Sequence, residues 1–237
     1  MRWRVARLVF VASSLFPLVG CNTLVGTDEV AVDGGDDEGD AGSEASGANG
    51  GLSAIAPTTP LNCSFQPTSP GVAENKELPL SLQWQGYAPG SDEVGSVSAA
   101  DFFDCNGSKG VHVVVYEMAK FFCGACEQDA KSLEARLAKW RAEGLSVVWV
   151  TALVTAPDGQ GKATTEGAKI WRDKFALEHV HVVADPGYQL LPSGKGTFGT
   201  PSFVIVDPRT QKVVKWLEGA GAHDAAIESL AQKNAGL

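Results

Sequence analysis

From position 110 onward the spacing of apolar residues changes period several times. Residues 111–116 form a continuous, valine-rich apolar run, as expected of a strand buried on both faces. Cys126, Ala130, Leu133, Leu137 and Trp140 then recur at alternating steps of four and three, which predicts one buried helix face. Glu127 and Lys131 fall one turn apart on its outer side in the favourable order, and Gly144 suits the helix end. Residues 145–153 predict a second buried strand. Thr164 or Thr165 is placed to cap a helix whose inner face is Ala168, Trp171 and Phe175. Residues 181–184 predict a short strand halted by the turn Asp185, Pro186, Gly187. Residues 202–206 and 213–217 flank a hairpin loop, and Asp224 is placed to cap a last helix through Ile227, Leu230 and Ala231. The aromatic stretch 82–87, with Trp84, reads as core or as an edge strand. A β-α-β unit followed by a hairpin and a helix predicts an α/β layer fold with a mixed central sheet. No internal repeat is present.

The N-terminal quarter shares none of these periods. Arg2, Arg4 and Arg7 precede an apolar run over 8–19, too short to span the roughly 30 Å of a bilayer's hydrocarbon. A basic start and a short apolar run form the pattern of a secretory signal peptide. Residues 21–60 hold eight acids and no base, and beyond residue 27 they are largely Gly, Ala, Ser, Asp and Glu. Such a segment buries too little to offset its ordering entropy, so a flexible, self-repelling tether is expected. Its acids lack the ligand spacing of a calcium loop. The predicted organisation is therefore a leader at 1–20, an acidic tether at 21–60 and one folded domain at 61–237. The 237 residues carry 19 Lys and Arg against 28 Asp and Glu, a formal charge of −9. Most of that excess lies in the tether. With no surplus of cations, nucleic acid is not an expected partner.

Five cysteines are present: Cys21, Cys63, Cys105, Cys123 and Cys126. An odd number leaves at least one outside any pairing within the chain. Cys123 and Cys126 fall between the first strand and the first helix, where two intervening residues let both sulfurs meet. The first sulfur then lies at the positive end of the helix dipole, which favours the thiolate and makes Cys123 the nucleophile. Cys126 falls on the inward stripe and is expected to be buried and to act second. In an exported chain, Cys63 and Cys105 are most simply a stabilising disulfide; the rival is exchange of one of them with the reactive pair. A zinc site would need two further ligands, and neither a second Cys-x-x-Cys nor a nearby His pair is visible. No metal is expected. His112 and His223 have no partner that the sequence names, and His179 and His181 read as strand-flanking residues.

Two resemblances sharpen this. Leu18-Val19-Gly20-Cys21 resembles the lipobox of bacterial lipoproteins, which implies cleavage before Cys21 and a lipid on its sulfur. Asn22, rather than Asp, would favour the outer membrane. From about 78 to 234 the chain resembles the thioredoxin superfamily, most closely its TlpA/ResA-type branch of exported, membrane-tethered thiol–disulfide oxidoreductases. The residues that carry it are the strand–Cys123-Gly124-Ala125-Cys126–helix junction, the segment Gly199-Thr200-Pro201, and 181–187, which resembles the extra strand of this branch. The resemblance implies a thioredoxin-like fold with Pro201 in cis facing the disulfide. It also implies a docking wall of Thr200, Gly124 and Ala125, and a buried acid, Glu117, that helps move the proton of the second cysteine. A carboxyl buried near a thiol has a raised pKa, suited to accepting a proton near neutrality; Glu117 also reads as a paired structural or solvent-facing acid. The implied activity needs no cofactor beyond the redox disulfide. Its partners would be protein disulfide clients, a membrane thiol-transfer electron donor, and the membrane itself through the lipid, in the cell envelope. Phe122 stands where Trp is usual and Ala125 where Pro or His is usual, which leaves the direction of electron flow open and suggests a mildly reducing pair. The other readings are a peroxidase, which would want Thr at Lys120, a copper-delivery relative, which would space its cysteines differently, and a non-catalytic binding module.

Overall fold

The computed structural model describes residue 63, residues 65–221 and residues 223–237. The leader, Cys21 and the tether lie outside the described residues. Seven strands form one mixed sheet: β1 (Gln83–Tyr87), β2 (Val94–Ser98), β3 (Val113–Ala119), β4 (Val147–Leu153), β5 (His181–Ala184), β6 (Ser202–Asp207) and β7 (Lys212–Glu218), in the order β2-β1-β5-β4-β3-β6-β7. The central strands β3, β4 and β5 run parallel, and the outer ones pair antiparallel. Among the described residues, three α-helices, α1 (Gly124–Ala142), α2 (Thr165–Phe175) and α3 (Asp224–Ala235), and one short 3-10 helix, Ala99–Phe102, complete the fold.

Strand β3 is buried along its whole length, and its alternate side chains divide between two cores. Val113, Val115 and Ala119 meet the inner faces of all three helices: Ala130, Leu133, Leu137 and Trp140 of α1, Ala168 and Trp171 of α2, Ile227 and Leu230 of α3. Val114, Tyr116 and Met118 face the other way, against Val72, Leu78, Phe102, Val111 and Leu190 from outside the strands and α-helices. The crossovers β3-α1-β4 and β4-α2-β5 step in the same direction along the sheet. Right-handed crossovers therefore place both helices on one face. Glu117, by the same alternation, belongs to the helical side.

The helix ends follow local chemistry. Thr164 caps α2, its hydroxyl accepting from the Gly167 N–H at 3.1 Å. Gly144 takes the left-handed turn after α1, with φ of +78°. Two expectations are corrected. Asp224 is the first residue of α3 rather than its cap; His223 holds the cap position and makes no side-chain capping bond. The Asp224 carboxylate is drawn instead to Arg136 of α1 at 2.8 Å. Glu127 likewise pairs with Lys174 of α2 at 2.9 Å rather than with Lys131, because α2 lies alongside. Stretch 82–87 forms β1, which is an interior strand, since β2 covers its outer edge.

Cys63 is bonded to Cys105, 42 positions later in sequence, with their Cα atoms 5.7 Å apart. This ties the start of the domain to the loop before β3, where Phe65 packs on Phe103 with ring centroids 5.3 Å apart. Replacing both cysteines by serine is expected to cost about 2–4 kcal/mol, through the freed entropy of the unfolded loop. Denaturant melts of the oxidised protein under non-reducing conditions check this, and an unchanged midpoint would count against it.

Candidate active site

Strand β3 runs into the turn Lys120–Phe122, and the turn delivers Cys123 to the start of α1. The Phe121 N–H donates to the Thr155 hydroxyl at 3.2 Å, and its ring sits edge-on to Trp171 at 5.3 Å. Phe122 is thrown outward: it adopts φ of +58° and remains 77% exposed. Its ring lies over Gly159 in the β4–α2 loop, where an added Cβ would come within 2.7 Å of it.

Cys123 is the N-cap of α1, and its sulfur accepts from the Cys126 N–H at 3.2 Å. The two cysteines are bonded to each other, with Cα atoms 5.2 Å apart. Cys123 retains 7% of its surface and Cys126 none, so of this pair Cys123 alone reaches the surface. Gly124 and Ala125 are exposed beside it. On the opposite side stands the start of β6. The Thr200–Pro201 bond is cis, and Pro201 is buried. The Thr200 carbonyl oxygen lies 3.4 Å from Cys123 Sγ, and its hydroxyl donates to that sulfur at 3.5 Å. Residues 77 positions apart are thus joined at one sulfur.

Below the helix start, Glu117 is 1% exposed. Its Oε2 accepts from Trp149 Nε1 at 3.1 Å and from the Thr151 hydroxyl at 2.9 Å, while Oε1 has no hydrogen-bond partner among the described residues. Burial pushes its carboxyl up to about 8, and the negative charge of Asp129 pushes the same way; the two hydrogen bonds and Arg136 pull against them. A carboxyl in that range exchanges a proton at neutral pH.

Around Glu117 lies a cluster that the sequence reading passed over. Asp129 of α1 is 7% exposed and accepts from Arg136 Nη2 at 2.7 Å. Arg136 also donates to Asp224 and to His223. His223 is buried, with its ring stacked on Phe203 at 3.9 Å. Phe203 is the cross-strand neighbour of Glu117. Asp129 had a legible signal, because it falls three residues after Cys126 on an otherwise apolar stripe. The three remaining histidines lie elsewhere: His112 Nδ1 accepts from the Ser146 N–H at 3.1 Å, His179 pairs with Glu134 at 2.8 Å, and His181 meets Phe102 edge-on at 5.0 Å in the other core. Among the described residues no three His, Cys, Asp or Glu side chains are grouped to hold a metal, and no helix is long and apolar enough to cross a membrane.

A parallel β-α-β core, an antiparallel hairpin beside it, and a cis-proline facing a cysteine pair at the first helix make up the arrangement. The fold is thioredoxin-like. No protein-family model and no curated protein matches the chain. Solved structures that resemble it include a thiol:disulfide interchange protein of Chlorobium tepidum, at 22% identity over 68% of this chain and 98% of that one, with a TM-score of 0.46. The thioredoxin domain of a thiol-disulfide oxidoreductase from Bacteroides vulgatus shows 16% identity over 67% and 98%, TM-score 0.44. An exposed lipoprotein thioredoxin of Streptococcus pneumoniae shows 19% identity over 63% and 98%, TM-score 0.42.

Proposed function

We propose that this protein is a thiol–disulfide oxidoreductase that reduces disulfides of protein clients outside the cytoplasm, held to a membrane by a lipid on Cys21. One observation carries the chemical part. A cysteine pair caps a helix, its outer sulfur touches the Thr200–Pro201 segment, and a buried acid with a raised pKa lies on the same side of the sheet. The lipobox-like Leu18-Val19-Gly20-Cys21 and the acidic stretch behind it support the anchor and tether.

In the reduced protein, the Cys123 thiolate attacks one sulfur of a client disulfide. A mixed disulfide forms, and the first client sulfur leaves as a thiolate that takes a proton from water. The Cys126 thiol then gives its proton to the Glu117 carboxylate and attacks Cys123 Sγ. The second client sulfur leaves as a thiolate, and the Cys123–Cys126 bond is complete. The client has gained two electrons and the protein has lost two. An external dithiol, in this reading a membrane thiol-transfer protein, restores the reduced pair and lets Glu117 release its proton. Thr200, Gly124 and Ala125 surround the more accessible sulfur of the pair and form the wall against which a client backbone docks.

Cys126→Ser is the direct test. With insulin as client, the variant is expected to accumulate a covalent adduct that dithiothreitol discharges and that peptide mass analysis assigns to Cys123. Absence of the adduct, with the variant folded and Cys123 free, would defeat the mechanism.

A further inference from the structure

Arg136 lies nearly two helical turns beyond Asp129, on α1, and nothing in the mechanism above uses it. Its side chain is only 16% exposed, and the groups around it hold the guanidinium in one place. Nη2 donates to Asp129 Oδ2 at 2.7 Å, and Nη1 donates to Asp224 Oδ1 at 2.8 Å. Nη1 also meets His223 Nε2. The same ring nitrogen lies 3.3 Å from Asp224 Oδ1 and 3.5 Å from Asp129 Oδ1. Burial, the leading influence on His223, disfavours its charged form. The plane so held lies over the Trp149 ring, 5.2 Å from its centroid. It is this indole whose N–H reaches Glu117.

We propose that Arg136 is a positioning residue for the exchange reaction, fixed by Asp129, Asp224 and His223 so that its charge sets the protonation of Glu117. It acts in two ways. As a cation it faces the carboxyl from α1 and offsets Asp129 beside it. Over the indole it draws electron density from the ring and strengthens the N–H that Glu117 Oε2 accepts. Both favour the carboxylate. Among the described residues, the other elements packed around Glu117 offer the neutral donors Trp149 and Thr151 from β4, Phe203 from β6, and from the start of α3 His223, whose charged form burial disfavours, and Asp224, which is 46% exposed. Without Arg136, Asp129 would face Glu117 unpaired, and ionising both carboxyls would become harder.

The consequence for catalysis rests on the functional reading above, but the device itself does not, so the test separates them. In the oxidised protein, where neither Cys123 nor Cys126 titrates, the carboxyl carbon of Glu117 is followed by NMR against pH, with Glu117→Gln identifying the signal. Arg136→Met is expected to raise the midpoint by about one pH unit, the scale of a lost neighbouring charge. Arg136→Lys, which keeps a cation near Asp129 but not the plane over Trp149, should raise it by less. An unmoved or lowered midpoint in a folded Met variant would overturn the assignment. If the Met variant does not fold, the Lys variant decides in the same way. In turnover, the alkaline shift should appear as the same displacement of the insulin-reduction pH profile, with about a tenfold loss at pH 7. A midpoint that moves in a protein with no disulfide reductase activity would uphold the coupling of Arg136 to Glu117 and discard the oxidoreductase reading.

Discussion

Cys123→Ser is expected to reduce insulin no faster than the uncatalysed background, a loss of roughly three orders of magnitude or more. The serine hydroxyl preserves the N-cap geometry, since its oxygen accepts from the residue 126 N–H as the sulfur does. Thermal stability of the reduced protein should therefore change little, and the variant isolates the chemistry. What it removes is the nucleophile. A hydroxyl at a helix N-terminus remains protonated near neutrality, while a thiol there ionises. Cys126 does not substitute, because it is fully buried and presents no surface to a client. Turbidity from precipitating insulin B chain is the measurement, and wild-type rates in the variant would remove Cys123 from the mechanism.

Glu117→Gln should flatten the pH dependence of stability. The Glu117 carboxyl is raised from an ordinary 4.5 to about 8, so the native state holds a proton that the unfolded chain has released across that window. Its contribution is fully present below about pH 4.5 and is lost as pH rises through about 8. Below about pH 6.5 the histidines work the other way. Burial lowers His181 to about 4 and also lowers His112 and His223, so the native state gains stability as pH rises to their unfolded value. The slope due to Glu117 is therefore cleanest between about pH 6.5 and 8, where one proton per molecule corresponds to about 1.4 kcal/mol per pH unit. The oxidised wild type should lose about 1–2 kcal/mol across that interval, a few degrees in Tm. The glutamine variant keeps an oxygen for Trp149 and Thr151 but has no charge to bury. It should melt at nearly constant temperature and overtake the wild type near pH 8. Parallel slopes in the two proteins would show Glu117 ionising as an ordinary surface acid.

The presence and order of β3, α1, β4 and β5 were legible because each is a strong, uninterrupted period, and the bounds of β5 were met. Strand β3 runs Val113–Ala119 rather than 111–116, so Glu117 falls inside it, and β4 starts at Val147 rather than at 145. Strand β2 was not, since an edge strand with one buried residue in five, Val97, leaves no alternation to find. The cysteine pair and its helix-start position were readable from local spacing; the acid six residues earlier was singled out by the family resemblance. The surroundings of the pair were not readable. Arg136 and His223 are 87 positions apart, and the contact exists only because α3 returns beside α1 after the β6–β7 hairpin. The misplaced cap shows the same limit. Asp224 satisfies every local rule for capping, yet a charged partner on another helix holds its carboxylate. That all three helices share one face was also hidden, because it depends on β5 lying beside β4 rather than on any segment alone.

The interior place of β1 has a consequence for biogenesis. Gly86 pairs with Gly95 of β2 on one side but with Val183 of β5 on the other, about a hundred residues later. Under the export proposed above, the chain emerges from a translocation channel N-terminus first and presents β1 and β2 before the rest. That hairpin must then wait, one edge unpaired, until α1, α2 and β5 have emerged. An open edge invites pairing with other chains. Cys63 and Cys105 both precede β3, so the bond between them can close during the wait and hold the early segment compact while its partner strand is still in transit.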